Sequence, residues 1–310
     1  MKIVFFGSPD SAVCSLKRIV EEGHDIKLII TQPDKPSGRQ RRLTSSPVKR
    51  FAQELNIPLH QPSKIRIDPV ALEKLKAIDP ELNVVVAYGQ IIPSSLIYLP
   101  KYNSINLHFS LLPKYRGASP VHWSILNGDK TTGVTIFELN EKMDEGDLLA
   151  KQELEILPGE YAYELEVRLA AIGAELLCKT INQIDSILHT KQDHSQATYA
   201  PMLKKEDGRV DWTRTATEID RRIRAFTPWP SAYFFFDRKR IKLIKGKVQD
   251  GESHNHAPGE ILDVIKTGVR VCCGQNSIYL IEVLQPEGKK AMDAHAFTLG
   301  TRISTGAKFR

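Results

Sequence analysis

Four short apolar runs set the strongest limit on how this chain can fold. They are KIVFFG (Lys2–Gly7), IKLIIT (Ile26–Thr31), NVVVAYG (Asn83–Gly89) and SINLHF (Ser104–Phe109). Between them lie stretches of helical period at Ser11–Glu22, Pro47–Asn56 and Asp68–Ile78. Val- and Ile-rich runs that alternate with helices indicate a mostly parallel sheet covered by helices on both faces, an α/β fold of Rossmann-like type. Ser46-Pro47 is a cap and first-turn pair for the second helix. GVTIFEL (Gly133–Leu139) and LLAKQELEI (Leu148–Ile156) read as further strands, and Tyr161–Leu188 as a long amphipathic helix.

After that helix the stretch HTKQDHSQATYAPML (His189–Leu203) has no period and reads as a linker. From Asp207 the texture changes. A helix near Ala216–Phe226 is followed by short strands AYFFF, RIKLIKGKV, GEILDVI, VRVCC and SIYLIEVL with close turns. Such a series suggests a small OB-like β-barrel. The expected division is therefore a domain over residues 1–188, a linker over 189–206 and a barrel domain over 207–310.

No apolar run approaches the ~18–20 residues that span a bilayer. The stretch MKIVFFGSPD is too short in apolar residues for a secretory signal and reads as a first strand. Cys14, Cys178, Cys272 and Cys273 show no CxxC spacing, which disfavours a disulfide framework or zinc knuckle and fits a reduced, cytoplasmic setting. The net charge is +6, and from Pro201 onward there are 20 basic and 13 acidic residues. The whole positive excess thus lies in the last third. Charge alone reads most simply as a solvated basic surface; the sharper reading is a domain that meets a polyanion. Arg221, Arg222, Arg224, Lys242, Lys245 and Lys247 are its candidates, each by itself more commonly plain surface.

A doubly wound sheet takes its ligand at the carboxyl ends of its strands. The first such turn, FFGSPDSA, has Gly7 but no second and third glycine, so a nicotinamide cofactor is disfavoured. The next, TQPDKPSGRQRRLTSSP (Thr31–Pro47), is long and basic; Arg39, Arg41, Arg42, Lys49 and Arg50 either hold phosphate or form a solvated edge. The fourth run carries the most. Asn106 and His108, two apart on a strand, point to the same face near its carboxyl end. Burying an amide and an imidazole without partners costs about 1–3 kcal/mol each. Together they can hold an oxygen that becomes negative and move a proton. A carboxylate is needed to charge the imidazole. NEKMDEGD (Asn140–Asp147) offers Asp144, with Asp147 and Glu141 as weaker rivals. A lone strand histidine is more often structural, but that reading leaves Asn106, the glycine loop and the acidic turn unexplained. His254 and His256, two apart in SHNHAP, lack a third ligand nearby and read as a solvated loop rather than a metal pair.

The order Asn106, His108, SLLPKYRG (Ser110–Gly117) and an Asp-x-Gly-Asp turn resembles the folate-dependent formyltransferases. GSPDSA, the long basic loop, RAFTPWPSAYF (Arg224–Phe234) and QPEGKKAM (Gln285–Met292) are similar to the branch that acts on tRNA, so the likeness spans almost the whole chain. The resemblance implies formyl transfer from 10-formyltetrahydrofolate, a co-substrate, to the amino group of initiator methionyl-tRNA in translation initiation. It implies no metal, no membrane and a monomer. The alternatives within the family are a sugar-nucleotide formyltransferase, acting on a UDP-amino sugar, and a formyltetrahydrofolate hydrolase. By the same resemblance Asn106, His108 and Asp144 are the catalytic trio. Ser110, Leu111, Leu112 and Pro113, with Tyr88, Gly89, Gln90, Ile91 and Ile92, border the folate. Arg39 meets the tRNA acceptor end, together with Arg41 and Arg42. Three positions depart from the family pattern: Phe109 stands where Gly or Ala is usual, Ser11 where an aromatic is common, and Glu145 where Thr is frequent.

Overall fold

Strand β1 (Lys2–Gly7) is buried at every position but its first, as a run of Ile, Val and Phe covered on both faces requires. The computed structural model describes residues 1–37, 42–249, 256–301 and 303–310. Contacts divide them into two units, the first comprising Met1–Pro120, Thr131–Glu155 and Leu165–Pro201. After β1 come α1 (Asp10–Glu21), β2 (Asp25–Ile30), β3 (Lys35–Ser37), β4 (Arg42–Thr44), α2 (Pro47–Glu54), β5 (Leu59–His60), α3 (Pro69–Ile78), β6 (Leu82–Val86), α4 (Ser94–Ile97) and β7 (Ser104–His108). Then follow α5 (Pro120–Asn127), β8 (Thr131–Glu138), β9 (Leu148–Glu155) and α6 (Ala162–Asn182).

The seven-stranded sheet has the order β5-β2-β1-β6-β7-β8-β9. Its pairs are parallel from β5 to β7 and antiparallel from β7 to β9. Chain direction across the sheet reverses between β1 and β6, the position at which such folds open a ligand crevice. The alternation read in β7 holds: Ile105 and Leu107 are buried to 1% and 2% exposure. A Cβ on Gly173 of α6 would come within 2.9 Å of Leu107, so that helix lies close against β7. Asn106 and His108 therefore take the opposite face.

Several boundaries differ from the predicted ones for local reasons. β6 stops at Val86 because Ala87 and Gly89 take φ of +46° and +77°, which turns the chain out of the sheet. α6 ends at Asn182, where Ser186 N–H bonds to the Gln183 carbonyl in a tight turn. The basic loop holds a short hairpin, with Lys35 opposite Thr44 and Ser37 opposite Arg42. The predicted linker is tied down over its first two thirds. Thr190 exchanges two backbone bonds with Leu148 (2.7 and 2.9 Å), and Arg116 is bonded to Thr198 and Ala200. An aperiodic stretch can be ordered by backbone pairing, which leaves no mark on residue type.

The second unit contains Val121–Lys130, Ile156–Glu164 and Met202–Arg310. α7 (Ala216–Phe226) starts in a capping box of Thr215 and Glu218. It is followed by β10 (Tyr233–Phe236), β11 (Lys239–Gln249), β12 (Ile261–Ile265), β13 (Gly268–Cys272), β14 (Ile278–Pro286), β15 (Met292–Asp293) and α8 (Ala294–Thr301). The antiparallel order is β10-β11-β14-β13-β12. The last residues join its two edges. Ile261 N–H donates to the Ala307 carbonyl and Phe309 N–H to Gly259, while Arg310 N–H donates to Phe235, each at 2.8 Å. The sheet thereby closes into a barrel, whose core includes Trp212, Phe234 and Phe309.

Candidate active site

β7 ends at His108, and the chain then doubles back through Ser110–Gly117. Thr135, opposite His108 on β8, fixes the start of this loop. Its hydroxyl donates to the Ser110 carbonyl at 2.6 Å and accepts from Leu112 N–H at 3.1 Å. Lys151, opposite Thr135 on β9, donates to the Leu112 carbonyl. Burial holds this lysine's pKa below the ordinary ammonium range.

The loop brings the Tyr115 carbonyl to 2.9 Å from His108 Nε2. A carbonyl only accepts, so Nε2 carries a hydrogen and the neutral ring leaves Nδ1 as its open acceptor. Asp144 faces that nitrogen, with Oδ2 3.8 Å from Nδ1. The gap is too long for a hydrogen bond but lets one further atom touch both. His108 is thus held by a backbone carbonyl, with Asp144 across a gap from its other nitrogen. The turn between β8 and β9 carries Asp144 into place, and Oδ2 accepts from Gly117 N–H at 2.7 Å. Of the rival carboxylates, Glu141 is bonded to the Tyr98 hydroxyl at 2.9 Å. Asn106 is half-buried, and its carboxamide oxygen is buried with no partner among the described residues.

Other candidates divide by where their side chains go. Ser110 is buried and its hydroxyl donates to the Lys114 carbonyl at 2.6 Å. Leu112 packs with Phe137 and Leu148, leaving Leu111 and Pro113 as the more open members of their run. Tyr88 and Ile92 belong to the core, and Gln90 accepts from Ile65 N–H at 2.9 Å. Gly89 and Ile91 are exposed. Arg39, Arg41 and His254 lie outside the described residues, as does the side chain of Arg42. His256 Nδ1 pairs with Glu260 at 2.8 Å.

A family model described as formyl transferase matches residues 1–181, and one described as its C-terminal domain matches 202–302. The chain belongs to the formyl transferase family. It is 44% identical over 310 residues to the methionyl-tRNA formyltransferase of Geobacter sulfurreducens, covering 99% of this chain and 96% of that one. It is also 44% identical over 308 residues to that of Alkaliphilus oremlandii, covering 99% and 98%. Among solved structures it resembles the N-formyltransferase of Helicobacter canadensis (TM-score 0.67, 19% identity, 92% of this chain and 99% of that one). The methionyl-tRNA formyltransferase of Clostridium thermocellum follows at TM-score 0.57 and 18% identity, with 81% and 95% covered.

The family pattern does not explain the departures, but the structure accounts for one. Glu145 pairs with buried Arg116 at 3.2 Å. Phe109 is buried, and Ser11 is buried with its hydroxyl unpartnered among the described residues. Sequence reasoning missed Tyr115, whose contribution is a carbonyl, and Thr135 and Lys151, which read only as strand residues. It also missed Arg116 and Gln192, the latter placed in the supposed linker.

Proposed function

We infer that this chain transfers a formyl group from 10-formyltetrahydrofolate to the amino group of methionine esterified to initiator tRNA, in the cytoplasm. What carries the reading is the meeting of Asn106, His108 and Asp144 at one end of β7, in a chain related along its full length to methionyl-tRNA formyltransferases. The residues suit a formyl carbon under attack: the Asn106 carboxamide oxygen, buried and unpartnered among the described residues, can accept from the incoming amine, while its nitrogen can donate to the formyl oxygen. The donor co-substrate supplies the formyl carbon, and exposed Gly89 and Ile91, with half-buried Leu111 and Pro113, are open members of the runs assigned to bind it.

Asn106 Nδ2 and protonated His108 Nδ1 donate to the oxygen on which negative charge develops. Losing one such donor typically costs about 2.7–4 kcal/mol of barrier. With Nε2 committed to Tyr115, Nδ1 is the nitrogen that reaches substrate. Asp144 accepts a proton from the attacking amine as the new C–N bond forms. A proton then passes to the nitrogen released when the donor's C–N bond breaks, so the balance closes. Acid–base help of this kind is worth roughly 10²–10⁴ in rate. Because the amine attacks only when unprotonated, turnover rises with pH toward neutrality.

Incubation with 10-formyltetrahydrofolate and charged initiator tRNA should yield formylmethionyl-tRNA. Parallel reactions with a UDP-amino sugar, or with no acceptor, should yield nothing. Formyl sugar, or formate released without acceptor, would overturn the reading.

A further inference from the structure

Asp144 stands on backbone that needs holding. Its φ is +54°, in the left-handed region that side chains disfavour. Gly117 N–H fastens the carboxylate, and Gln192 fastens the backbone. The Gln192 amide nitrogen donates to the carbonyls of Asp144 and Gly146, both at 2.8 Å. Its oxygen accepts from Arg116 Nε and Nη2 at 3.2 and 2.8 Å. The Arg116 side chain is 1% exposed, and its third nitrogen holds Glu145 on the same turn. A carboxamide suits this position because it has two N–H groups for two carbonyls and an oxygen for the guanidinium. A carboxylate lacks the donors, and an ammonium lacks the acceptor.

We propose that Gln192, braced by Arg116, is a positioning residue that sets the Asp144 carboxylate for proton transfer. The proposal rests on the reading of Asp144 given above. The segment bearing Gln192 is tied down without its side chain, through the backbone bonds of Thr190 with Leu148 and of Thr198 and Ala200 with Arg116. Removing the carboxamide therefore frees the turn rather than the segment. Misplacing a reacting group by about 1 Å can lower a rate 10²-fold.

The test uses the full chain with Gln192→Glu and Gln192→Leu, each alone and combined with Asp144→Asn, assayed by single turnover at saturating substrates and by steady-state rates over a range of each substrate for KM. Gln192→Glu keeps the volume and the oxygen for Arg116 but sets an oxygen against two carbonyl oxygens; it carries the test if the leucine variant does not fold. Each substitution alone should lower turnover about 10- to 10²-fold. The KM for either substrate should move by less than about threefold, since the bonds lost end on the turn rather than on substrate. In the Asp144→Asn background no further loss should follow, because no carboxylate remains to misplace. An equal loss in both backgrounds, or full turnover by Gln192→Glu, overturns the proposal. Failure of the unaltered chain to transfer formyl overturns the parent reading, and this one with it.

Discussion

His108 has one nitrogen bound by Tyr115 and one facing Asp144, so its two partners do different jobs. The carbonyl sets the ring's tautomer and tilt; the carboxylate, 3.8 Å from the other nitrogen, is the group proposed to take the amine's proton. Asp144→Asn keeps the shape and the bond from Gly117 yet removes the charge. Turnover should fall at least ~10²-fold with folate affinity retained. His108→Ala should be similarly inactive, and the double variant little worse than either, because the two act as a unit. Single-turnover rates with folate binding measured alongside would check this; near-normal turnover for Asp144→Asn would remove it from the mechanism. Asn106 and His108 were legible in sequence because period-two spacing sets both on one face of an otherwise apolar strand. Asp144 was legible because the imidazole needed an acid. The Tyr115 carbonyl was not, since any residue supplies one. Gln192 was hidden for a related reason: its neighbours have no period, and a single glutamine there looks like surface.

At the scale of elements, the core strands were readable from hydrophobicity, and the parts the sequence left unread were those ordered by backbone bonds. The turn from β8 to β9 was legible as an acidic turn, but not the close approach that fixes it. A Cβ built on Gly146 would lie 1.6 Å from the Glu138 carbonyl oxygen, a clash with backbone that no side-chain adjustment relieves. Glu138 N–H also donates to the Asp147 carbonyl at 2.9 Å, so the turn is pinned to the strand on that side. Gly146→Ala must therefore push the turn outward, and Asp144 moves with it. Both stability and turnover should drop, with the melting midpoint and single-turnover rate falling together. A variant with an unchanged rate would mean that the carboxylate tolerates displacement of its turn. Gly159 offers the contrast: a Cβ there meets nothing within 4 Å, so Gly159→Ala carries only the strain of φ +78°.

For the molecule as a whole, the charge surplus of the last third has to be divided into what the barrel uses and what it leaves over. Its arginines are largely used. Arg222 donates to the Asp207 carbonyl, Arg224 pairs with Asp220 at 2.7 Å and bonds to the Glu160 carbonyl, and Arg270 pairs with Asp263 at 3.0 Å. These side chains knit the unit together and are poor candidates for phosphate, so the helical spacing of Arg222 and Arg224 reflects packing. Two lysines on β11 differ. Lys245 and Lys247 are 64% and 60% exposed and share the single carboxylate of Glu282, at 3.6 and 3.3 Å. One positive charge is left over there, on flexible side chains open to solvent, where an exposed ion pair is worth at most about 1 kcal/mol and readily exchanges its partner. Each phosphate contact steepens the dependence of log affinity on log salt by about 0.9 on the duplex-DNA scale. Replacing both lysines with glutamine should therefore flatten the slope for tRNA by about 1–2 and weaken binding at low salt, while turnover at saturating tRNA stays the same. Titrations at several salt concentrations, with and without the substitutions, decide it. An unchanged slope would show that this face of the barrel meets no phosphate, and the polyanion contact would have to be sought among the remaining basic residues.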